Sequence, residues 1–386
     1  MKEVFNNPGK IIVTCNRRLV EYVKNEVEAL GFEPVRIFNT GLELEGTLND
    51  CIKLNLNLRI ASQVLFKLKD FHADNADQLH RELIKIPWEN YIPKESYFSV
   101  TSNVHNETIT TPLYANVRVK DAVVDRMKQK YGTRPDSGPE NDRIVLHLHW
   151  IESRAEIFLD TSGQLLSKHG YRLLPGAAPM QESLACACVL ATKWNMTSPF
   201  VNPMCGAGTL AIEAALLATK RTPGLQRMNY AFMHLLGYDK DVFYEERRLL
   251  KAQTHKENLP LIIATDISEE AIQVAQTNAR AAGVEHLIQF DVCDFAETAI
   301  PEEPGVILFN PEYGERMGVH TILERTYKRM GDFMKQNCPG YRGYVFTGNP
   351  ELAKKIGLRA SRRIEFYNGK LDCRLLQYEL YKGSKK

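Results

Sequence analysis

The chain is 386 residues long, 44% hydrophobic and 25% charged, with a net charge of +2. That length suits two or three globular domains, and the near-neutral balance gives no bulk sign of nucleic acid. No run of about 18 apolar residues predicts a membrane span, and the start Met-Lys-Glu-Val-Phe-Asn-Asn-Pro has no apolar stretch of a secretory signal. The eight cysteines are scattered without a Cys-x-x-Cys pair, which predicts reduced thiols, a cytoplasmic setting and no metal centre.

Residues 11–15, Ile-Ile-Val-Thr-Cys, read as a buried strand. Leu19, Val23, Val27 and Leu30 recur at helical spacing and predict a helix over 18–30, closed by Gly31. Strands over 34–38 and 41–45 and a helix over 48–54 complete a β-α-β-β-α order, which suggests a small ferredoxin-like unit. Further on come a strand at 65–71, a helix at 76–85, a strand at 97–102 and a helix at 117–131. Strands over 143–151 and 154–160 read as a hairpin. Leu146, Leu148 and Trp150 share one of its faces; His147 and His149 share the other, where they are expected to face solvent. Arg118, Lys120, Arg126, Lys128, Lys130, Arg134 and Arg143 cluster in sequence, as do Lys382, Lys385 and Lys386 at the end. Such clusters fit phosphate contacts or a solvated face. Segment 222–250 is rich in aromatics (Tyr230, Phe232, Tyr238, Phe243 and Tyr244), suited either to flanking a base or to packing over a sheet edge.

The region after 198 carries the chemistry. A strand over 199–201 runs into Asn202-Pro203-Met204-Cys205-Gly206-Ala207-Gly208, and a helix opens at Thr209. Glycines at such a turn let a ligand approach the backbone, and the helix start offers free N–H groups. The next strand, 261–264, ends in Thr265-Asp266, where an acidic residue is placed to bind ribose hydroxyls. Ser268 is the expected N-cap of the following helix, with Glu270 in its first turn. A strand over 286–290 ends in Asp291-Val292-Cys293-Asp294, and one over 305–309 ends in Asn310-Pro311-Glu312-Tyr313. Polar residues at four successive strand ends mark the ligand edge of a doubly wound α/β sheet. The turn lacks the third glycine of Gly-x-Gly-x-x-Gly, which argues against NAD.

Asn310-Pro311-Glu312-Tyr313 resembles the Asn/Asp-Pro-Pro-Tyr/Phe motif of S-adenosylmethionine-dependent methyltransferases that modify exocyclic amines of bases. Leu58-Arg59-Ile60-Ala61-Ser62, Val119-Lys120-Asp121-Ala122-Val123-Val124-Asp125, Leu159-Asp160-Thr161-Ser162-Gly163 and Lys168-His169-Gly170-Tyr171-Arg172 resemble THUMP-domain RNA methyltransferases. So does Ala177-Ala178-Pro179-Met180-Gln181-Glu182-Ser183-Leu184-Ala185. The likeness spans nearly the whole chain and is closest to the N-terminal half of the bifunctional bacterial 23S rRNA guanine-N2 methyltransferase. It implies a ferredoxin-like domain (1–55), a THUMP RNA-binding domain (56–162) and a Rossmann-like α/β methyltransferase domain (163–386).

By the same resemblance, the Asn310 side-chain oxygen and the Pro311 carbonyl would accept from the target amine and Tyr313 would stack on the base. The backbone from Cys205 to Gly208 would face the methionine part of the cofactor. Asp266 would hold the ribose, and Asp291 with the Val292 N–H would meet the adenine, with Asp294 a competing candidate. Asn202, Pro203, Thr209 and Ile267 complete the cofactor set. Gln181 and Glu182 either line the entrance or simply begin a helix. Two residues depart from the pattern: Asn202 stands where many relatives carry Asp, and Glu312 replaces the second proline. Glu312 either tunes recognition of the guanine edge or pairs with Arg316, and the departures leave an impaired enzyme open. The implied substrate is RNA, foremost 23S rRNA; tRNA guanine-N2, DNA adenine-N6 and a non-catalytic RNA-binding role are the alternatives.

Overall fold

A computed structural model describes residues 2–109, 111–174, 180–313 and 320–381. Ala177, Ala178, Pro179, Arg316 and the basic tail at 382–386 lie outside the described residues. Contacts group the chain into two compact units, Met1–Asn16 with Val20–Leu166 and Arg227–Leu250, and Arg17–Leu19 with Ser167–Gln226 and Lys251–Lys386.

The first unit opens with β1 (Gly9–Thr14), α1 (Val20–Ala29), β2 (Arg36–Phe38), β3 (Gly41–Gly46) and α2 (Leu48–Asn57). This is the expected ferredoxin-like order. Thr47 caps α2 in a reciprocal capping box with Asp50, which satisfies two otherwise unpaired backbone donors. There follow β4 (Gln63–His72), α3 (Ala76–Leu83), β5 (Tyr97–His105), α4 (Pro112–Tyr131), β6 (Asp136–Gly138), β7 (Ile144–Ile151) and β8 (Arg154–Asp160). Helix α4 begins five residues before the expected 117, because Pro112 takes a first-turn position where its missing N–H costs nothing. All eight strands form one sheet in the order β2-β3-β1-β4-β8-β7-β5-β6. The ferredoxin-like strands thus continue through the β4–β8 ladder into the rest of the sheet.

Two expectations for this unit change. His147 and His149 are half-buried, not solvent-facing. His147 bonds Thr101 Oγ1 at 2.8 Å and lies beside the Phe158 ring, and burial together with His149 lowers its pKa to about 4. The basic cluster is partly spent on internal pairs: Arg118 with Asp77 and Asp121, Arg126 with Glu89, and Lys120 with the Gly138 carbonyl. The aromatic segment belongs to this unit as well. Tyr230, Phe232 and Phe243 are buried and pack on one another, with Tyr238 beside Phe232; this fits the packing alternative and leaves those three rings enclosed.

The chain continues with α5 (Glu182–Ala191), β9 (Phe200–Pro203), α6 (Thr209–Ala218) and α7 (Lys240–Ala252). Then come β10 (Ile262–Asp266), α8 (Glu269–Ala282), β11 (Ile288–Val292), β12 (Val306–Phe309) and α9 (His320–Asn337). It ends with β13 (Arg342–Thr347), α10 (Pro350–Lys355), β14 (Arg362–Asn368) and β15 (Leu371–Glu379). The second unit's sheet runs β11-β10-β9-β12-β13-β15-β14, parallel except for β15. Every residue of α6 is buried, as expected of a helix apolar on nearly every side; its one carboxylate, Glu213, is met by His169 and Tyr171. The order reverses between β9 and β12, and their ladder stops at Ile307↔Val201, so the strand ends beyond it part into a crevice.

Candidate active site

A cavity of about 690 Å³ opens at those strand ends, inside the second unit. It is lined by the turn after β9 (Met204, Cys205, Gly206, Ala207), the start of α6 (Thr209, Leu210) and the β10–α8 junction (Asp266, Ile267, Ser268). Asn310, Pro311 and Glu312 line it as well, as do Met180, the α8 residues Glu270, Ala271 and Val274, and the α9 residues Ile322, Leu323 and Thr326.

The two glycines of the turn have separate reasons to be there. Both have positive φ, 52° at Gly206 and 78° at Gly208. An added Cβ on Gly206 would meet nothing within 4 Å, whereas one on Gly208 would lie 2.8 Å from the Ala275 Cβ. Gly206 therefore keeps a wall of the cavity open, and Gly208 lets α6 approach α8. Gly208 is also the N-cap of α6 and supplies no side-chain acceptor, so the first helical N–H groups stay available at the cavity.

Asp266 closes the turn from the side. Its Oδ2 accepts from the Gly206 N–H at 2.9 Å and its Oδ1 from the Ser268 N–H at 3.0 Å. Ser268 caps α8 through the Ala271 N–H, as expected. The Cys205 thiol is pushed up by burial and by the Asp266 charge, so it stays protonated and is no nucleophile.

Just past the end of β12, the Asn310 Oδ1 is buried and has no hydrogen-bond partner among the described residues. A buried acceptor left unpaired costs free energy, and its presence beside a cavity marks a place for a donor. The next carbonyl but one, that of Glu312, accepts from the Tyr327 hydroxyl at 3.2 Å, and Tyr327 also bonds Thr347 at 3.0 Å. This fully buried tyrosine pins the motif to α9 and β13. Glu312 itself is exposed.

Of the sequence candidates, Cys205, Gly206, Thr209, Asp266, Ile267, Asn310, Pro311 and Glu312 meet in the cavity. Asn202, Pro203, Gly208, Gln181, Asp291, Val292, Asp294 and Tyr313 are not in its lining. Asn202 is buried and donates Nδ2 to the Leu308 carbonyl at 2.9 Å, bridging β9 to β12 where their ladder ends. The Asp291 Oδ1 accepts from the Val292 N–H at 2.9 Å, so the expected adenine pair is bonded internally. Asp294 accepts from the Ala296 N–H and pairs with Arg329 at 2.7 Å. Burial would raise its pKa, but those two donors hold it below the usual carboxylate range. Gln181 donates to Ser167, and Glu182 is buried against Arg172. Tyr313 sits at the motif's end with its hydroxyl bonded to Asn368. Sequence reasoning missed Met180 and the α9 residues Ile322, Leu323 and Thr326: such side chains carry no local signal that separates a cavity lining from a core.

Comparison with known proteins places this geometry. Residues 10–65 match the RlmL ferredoxin-like domain, 73–160 the THUMP domain, and 169–377 the RMKL-like methyltransferase domain. The chain is 35% identical over 384 residues to ribosomal RNA large subunit methyltransferase K/L of Syntrophotalea carbinolica, covering 97% of this chain and 54% of that protein. It therefore spans about half the length of such relatives. A provisionally named RNA methyltransferase of Synechocystis is 32% identical, covering 95% of this chain and 96% of that one. The solved structure of SMU.472, provisionally assigned as a methyltransferase and complexed with S-adenosylhomocysteine, aligns with TM-score 0.87 at 26% identity, over 98% of this chain and 99% of that one. A Listeria monocytogenes structure described as a predicted N6-adenine-specific DNA methylase aligns with TM-score 0.86 at 31% identity, over 97% of both chains. With a Rossmann-like methyltransferase fold behind ferredoxin-like and THUMP domains, the chain belongs to the RMKL-like methyltransferase family.

Proposed function

We propose that the chain transfers a methyl group from S-adenosylmethionine to the exocyclic N2 of a guanosine in RNA, foremost 23S rRNA. The observation that carries this is the unpaired, buried Asn310 Oδ1 in a residue that lines one cavity together with the Gly206 turn and Asp266. The cavity suits the cofactor. The uncapped α6 start offers N–H groups to a carboxylate, Asp266 stands at the end of β10 for the ribose, and Ile267 presents an exposed apolar side chain to a ring.

S-adenosylmethionine supplies an electrophilic methyl on its sulfonium. The chain's residues prepare the nucleophile. An aromatic amine delocalises its lone pair into the base. Acceptors at the Asn310 Oδ1 and the Pro311 carbonyl take its N–H groups and favour the geometry in which that lone pair is free to react. Tyr313 offers a ring for the base to stack on, and a paired guanosine must first leave its helix. Glu312, exposed on the cavity wall, faces the guanine N1–H and N2–H₂ donors in this reading. The THUMP match and the rRNA methyltransferase relatives support RNA over DNA. The Listeria description supports keeping adenine N6 as the second reading, because an Asn-Pro-x-Tyr acceptor serves either amine. We retain the division 1–55, 56–162 and 163–386 as the working domain boundaries, and a cytoplasmic setting. No helix among the described residues is long and apolar enough to cross a membrane.

The test is transfer from labelled S-adenosylmethionine to unmodified 23S rRNA, tRNA and DNA in parallel, with the product nucleoside identified by mass spectrometry. N2-methylguanosine in 23S rRNA is expected. In tRNA it would keep the chemistry and change the partner, N6-methyladenine in DNA would replace the reading, and cofactor binding without transfer would favour an RNA-binding role.

A further inference from the structure

The ring proposed to stack on the base is held by residues outside its motif. The Tyr313 hydroxyl accepts from Asn368 Nδ2 at 2.8 Å. Asn368 is the last residue of β14 and faces Leu371 across the turn into β15. The ring meets Phe346 of β13 edge to face, with centroids 6.3 Å apart. Below it lies Gly348, just past the end of β13. A Cβ added there would sit 3.2 Å from Tyr313 Cδ2, 3.3 Å from its Cε2 and 3.2 Å from the Cys373 Sγ. Gly348 has no positive φ, so space is what its side chain would lack. Burial pushes the phenol up to about 12, so it stays neutral and the Asn368 contact persists at working pH.

We propose that Asn368 is a positioning residue for base recognition: its amide fixes the Tyr313 ring in rotation, and the bare backbone at Gly348 fixes the ring's depth. Without the Asn368 amide the hydroxyl keeps only the weak partner at the Cys373 thiol, the ring gains freedom about its side-chain torsions, and each misplacement lowers the fraction of bound base in line for transfer. The inference rests on the proposed base methylation, and it assigns part of that recognition to the β14–β15 hairpin.

The experiment uses the full chain and 23S rRNA, with kcat and KM for RNA measured beside cofactor affinity by calorimetry. Asn368→Leu is expected to lower kcat/KM about tenfold with cofactor affinity unchanged. Asn368→Asp should recover most of that loss, because the phenol can donate to the carboxylate. Tyr313→Phe, which also removes the hydroxyl's bond with the Cys373 thiol, should lose at least as much as Asn368→Leu, and the double variant should be no worse than Tyr313→Phe alone. Gly348→Ala, which asks the ring to move by a few tenths of an ångström, should show the same pattern. An active wild type with Asn368→Leu unchanged, or with the two single losses multiplying, overturns the positioning role alone. A wild type that transfers nothing to any RNA overturns the functional reading, and the positioning role with it.

Discussion

Gly206 and Gly208 share a turn and a backbone sign, yet they differ in what a methyl group would cost. Gly208→Ala places a Cβ against α8 in a left-handed conformation and should destabilise the fold by about 2–4 kcal/mol, read by urea denaturation. Gly206→Ala should cost only the strain, about 1–2 kcal/mol. Asp266→Asn removes the negative charge that both neighbouring N–H groups point at and that the ribose would share. S-adenosylmethionine Kd should rise about 10–100-fold, since a hydrogen bond to a charged group is worth about 1.5–3 kcal/mol; an unchanged Kd by calorimetry would remove Asp266 from the cofactor site. The sequence located the glycine turn, Asp266 and Asn310 because each stands at a strand end with a residue type that chemistry requires. It could not show that Asp291 bonds its own neighbour's N–H or that Asp294 is taken by Arg329, since those pairings depend on side-chain directions and a partner 35 positions away.

At the level of elements, His147 on β7 ties the first unit's stability to pH. Its pKa is lowered from 6.5 to about 4, by burial first and then by His149. The fold prefers the neutral ring, so this contribution is fully present above pH 6.5 and is lost as pH falls towards 4, amounting to about 3 kcal/mol. Replacing His147 by Leu should flatten the stability curve over that window, and the difference between the two curves isolates this group from other titrating residues. Curves of equal slope would place His147 in water. β9, β10, β11 and β12 announce themselves as short apolar runs ending in polar motifs. β13 to β15 carry turn signals of another kind, Thr347-Gly348-Asn349-Pro350 after β13 and Asn368-Gly369 between β14 and β15; the latter marks the hairpin that holds Tyr313, a signal the sequence reasoning missed, while the antiparallel placing of β15 has no local signature. β11 was expected from 286, but it starts at Ile288 after a short 3-10 turn, which brings Asp291 and Val292 into the strand itself.

Across the whole molecule, chain order and spatial order part company. Residues 227–250 leave the methyltransferase region to complete the first unit's aromatic core, and residues 17–19 join the second unit, where Arg18 lies over the Tyr367 ring and pairs with Asp372. Neither excursion has a local signature, because an arginine in a loop or a cluster of aromatics fits many partners. The doubly wound character was legible from the alternation of strands and helices, and with polar residues at four strand ends it suffices to bring Asn310 and the Gly206 turn to one edge; the strand order itself, with β12 beside β9, was not. The central claim is that Asn310 prepares an exocyclic amine at that edge. The most direct measurement is nucleoside mass spectrometry of unmodified 23S rRNA incubated with S-adenosylmethionine and either the wild type or Asn310→Ala. The account predicts N2-methylguanosine from the wild type and a rate about 100-fold lower or less from the variant, at unchanged cofactor affinity. Equal rates from the two proteins, or a product other than N2-methylguanosine, would contradict it.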